Sequence, residues 1–154
     1  MSSTAQLLDE HGDHAQVCLV QFRSFGAIAV EGRIATVRCF EDNVILRRRI
    51  EEPGDGRVLV VDGGGSQRCA LLGDDIASLA QTNGWIGIVV NGCVRDSVPL
   101  DGLDLAVKAL GTNPRPSRKE GAGAADVPVR FGGVEFAPGA WLCADADGVV
   151  VLPG

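Results

Sequence analysis

The apolar positions of this chain change period along its length, and the changes mark out its elements. Residues 57–61 (Arg-Val-Leu-Val-Val) and 86–90 (Ile-Gly-Ile-Val-Val) are short, nearly unbroken apolar runs. Such runs suit strands buried on both faces. Residues 33–40 alternate well enough for a strand, and residues 16–22 and 27–30 read as extended segments. Helical spacing is expected over 3–10, from an N-cap at Asp42 to Ile50 or Glu51, and over 76–83. Pro53-Gly54 stops the second of these. A short helical stretch is expected to reach Leu71 or Leu72, and 105–110 fits either strand or helix. Beyond the Pro/Gly/Arg-rich segment 111–126, four short apolar runs (127–131, 134–136, 140–144, 149–152) are separated by Gly132-Gly133, Pro138-Gly139 and Asp147-Gly148. That is hairpin chemistry. The pattern predicts one α/β domain over 1–154 with a β-rich C-terminal part.

Composition narrows the function. At 154 residues and 45% hydrophobic, the chain can bury a core of Val, Leu, Ile and Ala without a covalent staple. A net charge of −6 argues against direct nucleic-acid or membrane-surface binding. Arg47-Arg48-Arg49 is the local exception and reads as a solvated helix end favoured by the helix dipole. Arg115, Arg118 and Lys119 read as a mobile basic loop. Cysteines 18, 39, 69, 93 and 143 have no paired spacing, and no secretory signal accompanies them. Free, mostly buried thiols in a reducing cytoplasm are expected. His11 and His14 have helical spacing but sit in a polar turn, which suits a surface better than a metal. No apolar run is long enough to span a bilayer.

The candidate chemistry lies in two loops. Gly73-Asp74-Asp75-Ile76 opens a helix, and Arg95-Asp96 follows the next strand, with twenty residues between Asp74 and Arg95. Loops before a helix and after a strand can meet at one end of an α/β sheet, where such folds bind ligands. Free amides at 73–76 make an anion site. Arg95 can fork a carboxylate, and Asp96 can hold a hard cation through oxygen. The plain alternative is that Asp74 caps a helix and Arg95-Asp96 is a solvated pair. Val60-Val61-Asp62-Gly63-Gly64-Gly65-Ser66 invites a nucleotide or S-adenosylmethionine reading. However, the fingerprint's third glycine is replaced by Arg68, and the next strand ends in Asn91 rather than an acid.

These segments, together with Ala70-Leu71-Leu72-Gly73-Asp74, Asn91-Gly92-Cys93-Val94-Arg95-Asp96, Lys108 to Pro114 and the ending from Phe131 to Val151, resemble the RraA-like family, named for the regulator of ribonuclease E activity. The resemblance covers nearly the whole chain. It implies an α/β/β sandwich of the swivelling phosphohistidine-domain type, assembled as a homotrimer with sites at subunit interfaces. It also implies a 4-hydroxy-4-methyl-2-oxoglutarate aldolase that decarboxylates oxaloacetate as a side activity and uses Mg2+ or Mn2+. By the same resemblance, Gly73, Asp74, Asp75 and Ile76 bind an α-keto acid, Arg95 holds its carboxylate, and Asp96 binds the metal. Asp74 and Arg95 are then the catalytic candidates, with Asp74 taking the proton from the substrate hydroxyl. The alternatives within reach of the family are a non-catalytic inhibitor of ribonuclease E and, more remotely, a methyltransferase. One departure stands out. Many aldolase members have an acidic residue three positions after the motif aspartate, where this chain has Pro99, with Asp101 two residues on.

Overall fold

The computed structural model describes residues 2–153. Its centre is a parallel group of strands, β3 (Val30–Arg38), β4 (Val58–Asp62), β6 (Gly87–Val94) and β7 (Ala106–Thr112), hydrogen-bonded in that order. The short β1 (Gln16–Val17) lies at one edge of the whole sheet, and β2 (Arg23–Gly26) runs antiparallel along β7 at the other. Between the strands run α2 (Val44–Glu51), β5 (Ala70–Leu72), α3 (Asp74–Thr82) and α4 (Ser97–Asp101); α1 (Thr4–His11) precedes them all. The chain then adds β8 (Ala124–Ala125), the hairpin β9 (Val129–Phe131) and β10 (Val134–Phe136), and the pair β11 (Trp141–Asp145) and β12 (Gly148–Leu152).

Strand β3 joins two regions of pairing. Its first four residues pair with β11, while Ile34–Arg38 pair with β4. Alternation then sorts the side chains. Leu59 and Val61 enter a core with Leu46, Ile50, Ala77, Ala80 and Trp85 on the helical side. Val58 and Val60 enter a second core with Phe131, Phe136, Leu142 and Val151 on the other. The result is the expected α/β/β layering. Within the apolar runs at 57–61 and 86–90, the strands begin at Val58 and Gly87 and are buried on both faces, while Arg57 and the exposed Ile86 lie just before them.

Several local expectations change. Residues 16–22 are strand only at Gln16–Val17, and the next strand begins at Arg23. The segment ending at Leu72 is strand β5 rather than helix, because its backbone pairs with β6 at Cys93 and Val94. Strand β6 accordingly runs to Val94. Residues 105–110 resolve as strand β7, and the loop around Pro99 contains α4. All five cysteines are free and buried. His11 and His14 are exposed, and no group of three metal-ligating side chains occurs among the described residues. No described helix is long and apolar enough to cross a membrane.

Both basic segments also differ from expectation. Arg49 is buried, paired with Asp126 at 3.0 Å and Glu52 at 3.3 Å and stacked over Trp85. Only Arg47 and Arg48 remain exposed. The 115–122 segment is tied down rather than loose. Asn43, not Asp42, occupies the N-cap position of α2, and buried Asp42 instead accepts the amides of Glu120 (2.8 Å), Gly121 (3.0 Å) and Ala122 (3.3 Å). Its other oxygen takes Val44 N–H at 3.1 Å.

Burial alone would raise the Asp42 carboxyl, but the four amide bonds outweigh it and hold the group below the usual carboxylate range. A depressed folded value contributes stability above the unfolded value, which is lost as pH falls through the folded one. Asp42→Asn is therefore expected to cost about 1.5–3 kcal/mol at neutral pH, the scale of hydrogen bonds to a charged group. The difference should shrink in acid. Thermal melts at pH 7 and near pH 3 check this, and an equal loss at both would contradict it.

Candidate active site

The C-terminal ends of β5 and β6 carry the two predicted loops, and parallel pairing brings them side by side. Arg95 N–H donates to Leu72 O at 3.0 Å, locking the loop after β6 to the end of β5. Gly73 follows at the N-cap of α3, with an extended backbone that any residue adopts (φ −137°, ψ −155°). Its lack of a side chain serves proximity instead. A Cβ there would collide with Asp96 Oδ2 and stand 3.1 Å from Arg95 Cγ. Asp96 has a left-handed backbone (φ 60°, ψ 45°), which turns the chain sharply out of β6 into α4.

That turn returns the Asp96 carboxylate to the start of α3, where it accepts Asp74 N–H at 3.2 Å. The Asp74 carboxyl lies beside the Asp96 carboxylate. This contact, then burial, then the charges of Asp96 and Asp75, raises the Asp74 carboxyl above its ordinary value. A carboxylate beside the Asp74 carboxyl disfavours its ionised form unless a cation is bound there. Two carboxylate donors suit a hard ion that keeps most of its water, as Mg2+ does. Asp75 and Ile76, in the first turn of α3, have amides without an acceptor inside the helix.

Beside this group lies a cleft of about 440 Å³, within the usual range for small-ligand sites. Gly73, Asp75, Ile76, Arg95 and Asp96 line one side. Asp74 is half-buried and reaches the site through Asp96 rather than by lining the cleft. Arg95 is exposed, and its only side-chain bond among the described residues is a long one, 3.5 Å to Pro114 O, so its fork is available to a ligand.

The remaining walls were not legible from spacing. Asn43 comes from the N-cap of α2, Arg47 and Arg48 from the helix itself, and Ser117 and Lys119 from the segment held by Asp42. Lys119 Nζ donates to Asn43 Oδ1 at 3.0 Å. Asp101 does not stand in for the acidic residue absent at Pro99. It accepts Gly26 N–H at 3.1 Å, at the edge strand β2, and does not line the cleft.

The glycine-rich turn after β4 has a different role. Gly63 and Gly65 N–H both donate to Asn91 O at 3.1 Å, and Gly64 N–H to Asp62 Oδ1 at 2.9 Å. Its amides are spent inside the fold. The chain then leads into a strand, not into the helix that a dinucleotide site requires.

The pattern that defines the RraA-like proteins (Aldolase/RraA) matches residues 4–151. The chain belongs to the RraA-like family. It is 54% identical over 151 residues to a protein of Laribacter hongkongensis named "Putative 4-hydroxy-4-methyl-2-oxoglutarate aldolase", covering 97% of this chain and 95% of that one. Among solved structures, it superposes with a TM-score of 0.95 on a Geobacillus kaustophilus protein described as S-adenosylmethionine: 2-dimethylmenaquinone methyltransferase. The two are 49% identical, over 99% of this chain and 95% of that one. A TM-score of 0.95 also relates it to the RNA-processing inhibitor RraA from Thermus thermophilis, at 44% identity over 99% and 93% of the two chains. RraA-like relatives thus carry three functional names on one fold, and the choice among them rests on the site.

Proposed function

We propose that this RraA-like protein is a divalent-metal-dependent lyase that cleaves 4-hydroxy-4-methyl-2-oxoglutarate to pyruvate, with oxaloacetate decarboxylation as a side activity. The observation that carries the reading is the convergence of Arg95, the Asp74–Asp96 carboxyl pair and the open first turn of α3 beside one cleft. The aldolase name of a 54% identical relative supports it.

In this reading Arg95 and the amides at 75 and 76 hold the carboxylate next to the keto group. Asp74, in its ionised form, takes the proton of the substrate's 4-hydroxyl through an intervening water, since it stands behind Asp96 rather than lining the cleft. The C3–C4 bond then breaks, its electrons pass to C3 as a pyruvate enolate, and C4 leaves as the keto carbon of a second pyruvate. A proton returned to C3 completes the first. Asp96, with Asp74 beside it, would hold Mg2+ or Mn2+, which supplies Lewis acidity toward the developing enolate charge. The geometry that joins Asp74 to Asp96 fits both tasks, because binding a cation at the pair favours the ionised form of the base.

Asp96→Ala is expected to abolish pyruvate release while leaving the fold intact, since an exposed loop carboxylate adds little stability. A chelator should do the same to the unaltered protein. Normal turnover by Asp96→Ala with Mg2+ would remove the metal assignment. A homotrimer is part of the proposal, and Val98 (83% exposed), two residues beyond Asp96, is an apolar group that a neighbouring subunit would cover. Light scattering at micromolar concentration checks it, and a clean monomer would count against it.

A second reading follows from the inhibitor name of the 44% identical structure: an acidic partner for a ribonuclease E-type protein. A binder has no use for the Asp74–Asp96 pair. Metal-dependent pyruvate release separates the two. The methyltransferase name draws no support from the glycine-rich turn, whose amides are already engaged.

A further inference from the structure

Helix α2 presents two different faces. Leu46, Arg49 and Ile50 are buried against the sheet. Val44, Arg47, Arg48 and Glu51 all line the cleft, and their spacing of 3, 4 and 7 from Val44 places them on one side of the helix. Arg49 has its charge met by Asp126 and Glu52, whereas neither Arg47 nor Arg48 enters an ion pair among the described residues. The helix dipole accounts for cations late in α2, but it is indifferent to which side they occupy. Here two unpaired guanidinium groups in a chain of net charge −6 border the same cleft as Arg95. Helix α2 packs beside α3, so the arginines face the cleft from a different element than Gly73 and Arg95 do.

We propose that Arg47 and Arg48 form a second anion subsite, which reads the distal carboxylate of a dicarboxylic α-keto acid whose first carboxylate lies at Arg95. The inference rests on the keto-acid reading of the cleft and adds its specificity: the site selects substrates charged at both ends. Guanidinium groups suit the task because they meet carboxylate oxygens in a planar, two-point fashion. Glu51, on the same face, disfavours an anion placed further along the helix and so limits the subsite to the turn of Arg47 and Arg48.

The test compares two unreactive ligands of equal carbon number, 2-oxoglutarate and 2-oxovalerate, which differ in the distal carboxylate. Calorimetric titration with Mg2+ present is expected to show 2-oxoglutarate binding roughly tenfold to hundredfold more tightly, the scale of one or two charge-assisted bonds. The Arg47→Gln/Arg48→Gln double variant should lose that preference with 2-oxovalerate affinity unchanged. Arg130→Gln, which removes an exposed charge from β9, should keep it. A preference retained in the double variant would overturn the subsite, as would its loss in Arg130→Gln. If the unaltered protein cleaves the hydroxy keto diacid but binds both ligands equally, only the subsite is wrong. If it shows the preference but releases no pyruvate, only the lyase reading is wrong.

Discussion

Gly73→Ala is expected to lower kcat/KM for pyruvate release on the order of a hundredfold, the scale on which a small misplacement of catalytic groups acts. The protein should still fold. The backbone at Gly73 is extended and open to alanine, and an N-cap alanine in place of glycine costs only a modest amount of helix stability. The added methyl group instead meets Asp96 Oδ2 and crowds Arg95 Cγ. Asp96 must turn away, which breaks its bond to Asp74 N–H and separates the two carboxyls, and Arg95 must shift with it. One methyl group therefore disturbs the carboxyl pair and the carboxylate fork together. A variant with a native-like melt and undiminished turnover would show that this close approach has no part in the chemistry.

Arg95→Lys is expected to reduce catalytic efficiency roughly tenfold to hundredfold, because lysine keeps the charge but loses one of two charge-assisted bonds, about 1.5–3 kcal/mol. Aldol cleavage and oxaloacetate decarboxylation should fall together, since both substrates present the same carboxylate beside a keto group. Asp74→Asn should separate them. Only the aldol reaction needs a proton taken from a hydroxyl, whereas decarboxylation breaks the bond to the leaving carboxylate directly. Parallel assays of the two reactions on both variants check the division of labour. If Arg95→Lys is neutral for both, Arg95 is a surface residue and the lyase reading loses its main support.

The two variants also separate what local pattern reports from what it misses. The loops at Asp74 and Arg95-Asp96 were visible because each follows or precedes a strongly apolar run, and a parallel sheet puts such loops at one end. The contact between them was not visible. It depends on the left-handed backbone at Asp96 and the absence of a Cβ at Gly73, neither of which periodicity encodes. Strand β5 was missed for a related reason. Three residues carry too short a period to identify, and their state is decided by pairing with β6.

By itself, the sequence determined the α/β class, strands within the apolar runs at 57–61 and 86–90, the helices α2 and α3 to within about two residues, the β-rich ending and the two loops that meet at the candidate site. These follow from hydrophobic period and turn chemistry, which act between near neighbours. Tertiary structure alone decided the other walls of the cleft. Arg47 and Arg48 looked like a solvated helix end until α2 was placed beside α3. Lys119 looked mobile until buried Asp42 drew in the amides of Glu120, Gly121 and Ala122, close to eighty residues away. Such contacts carry no local signature, because which charge meets which pocket is set by the packing of helices on the sheet rather than by neighbours along the chain.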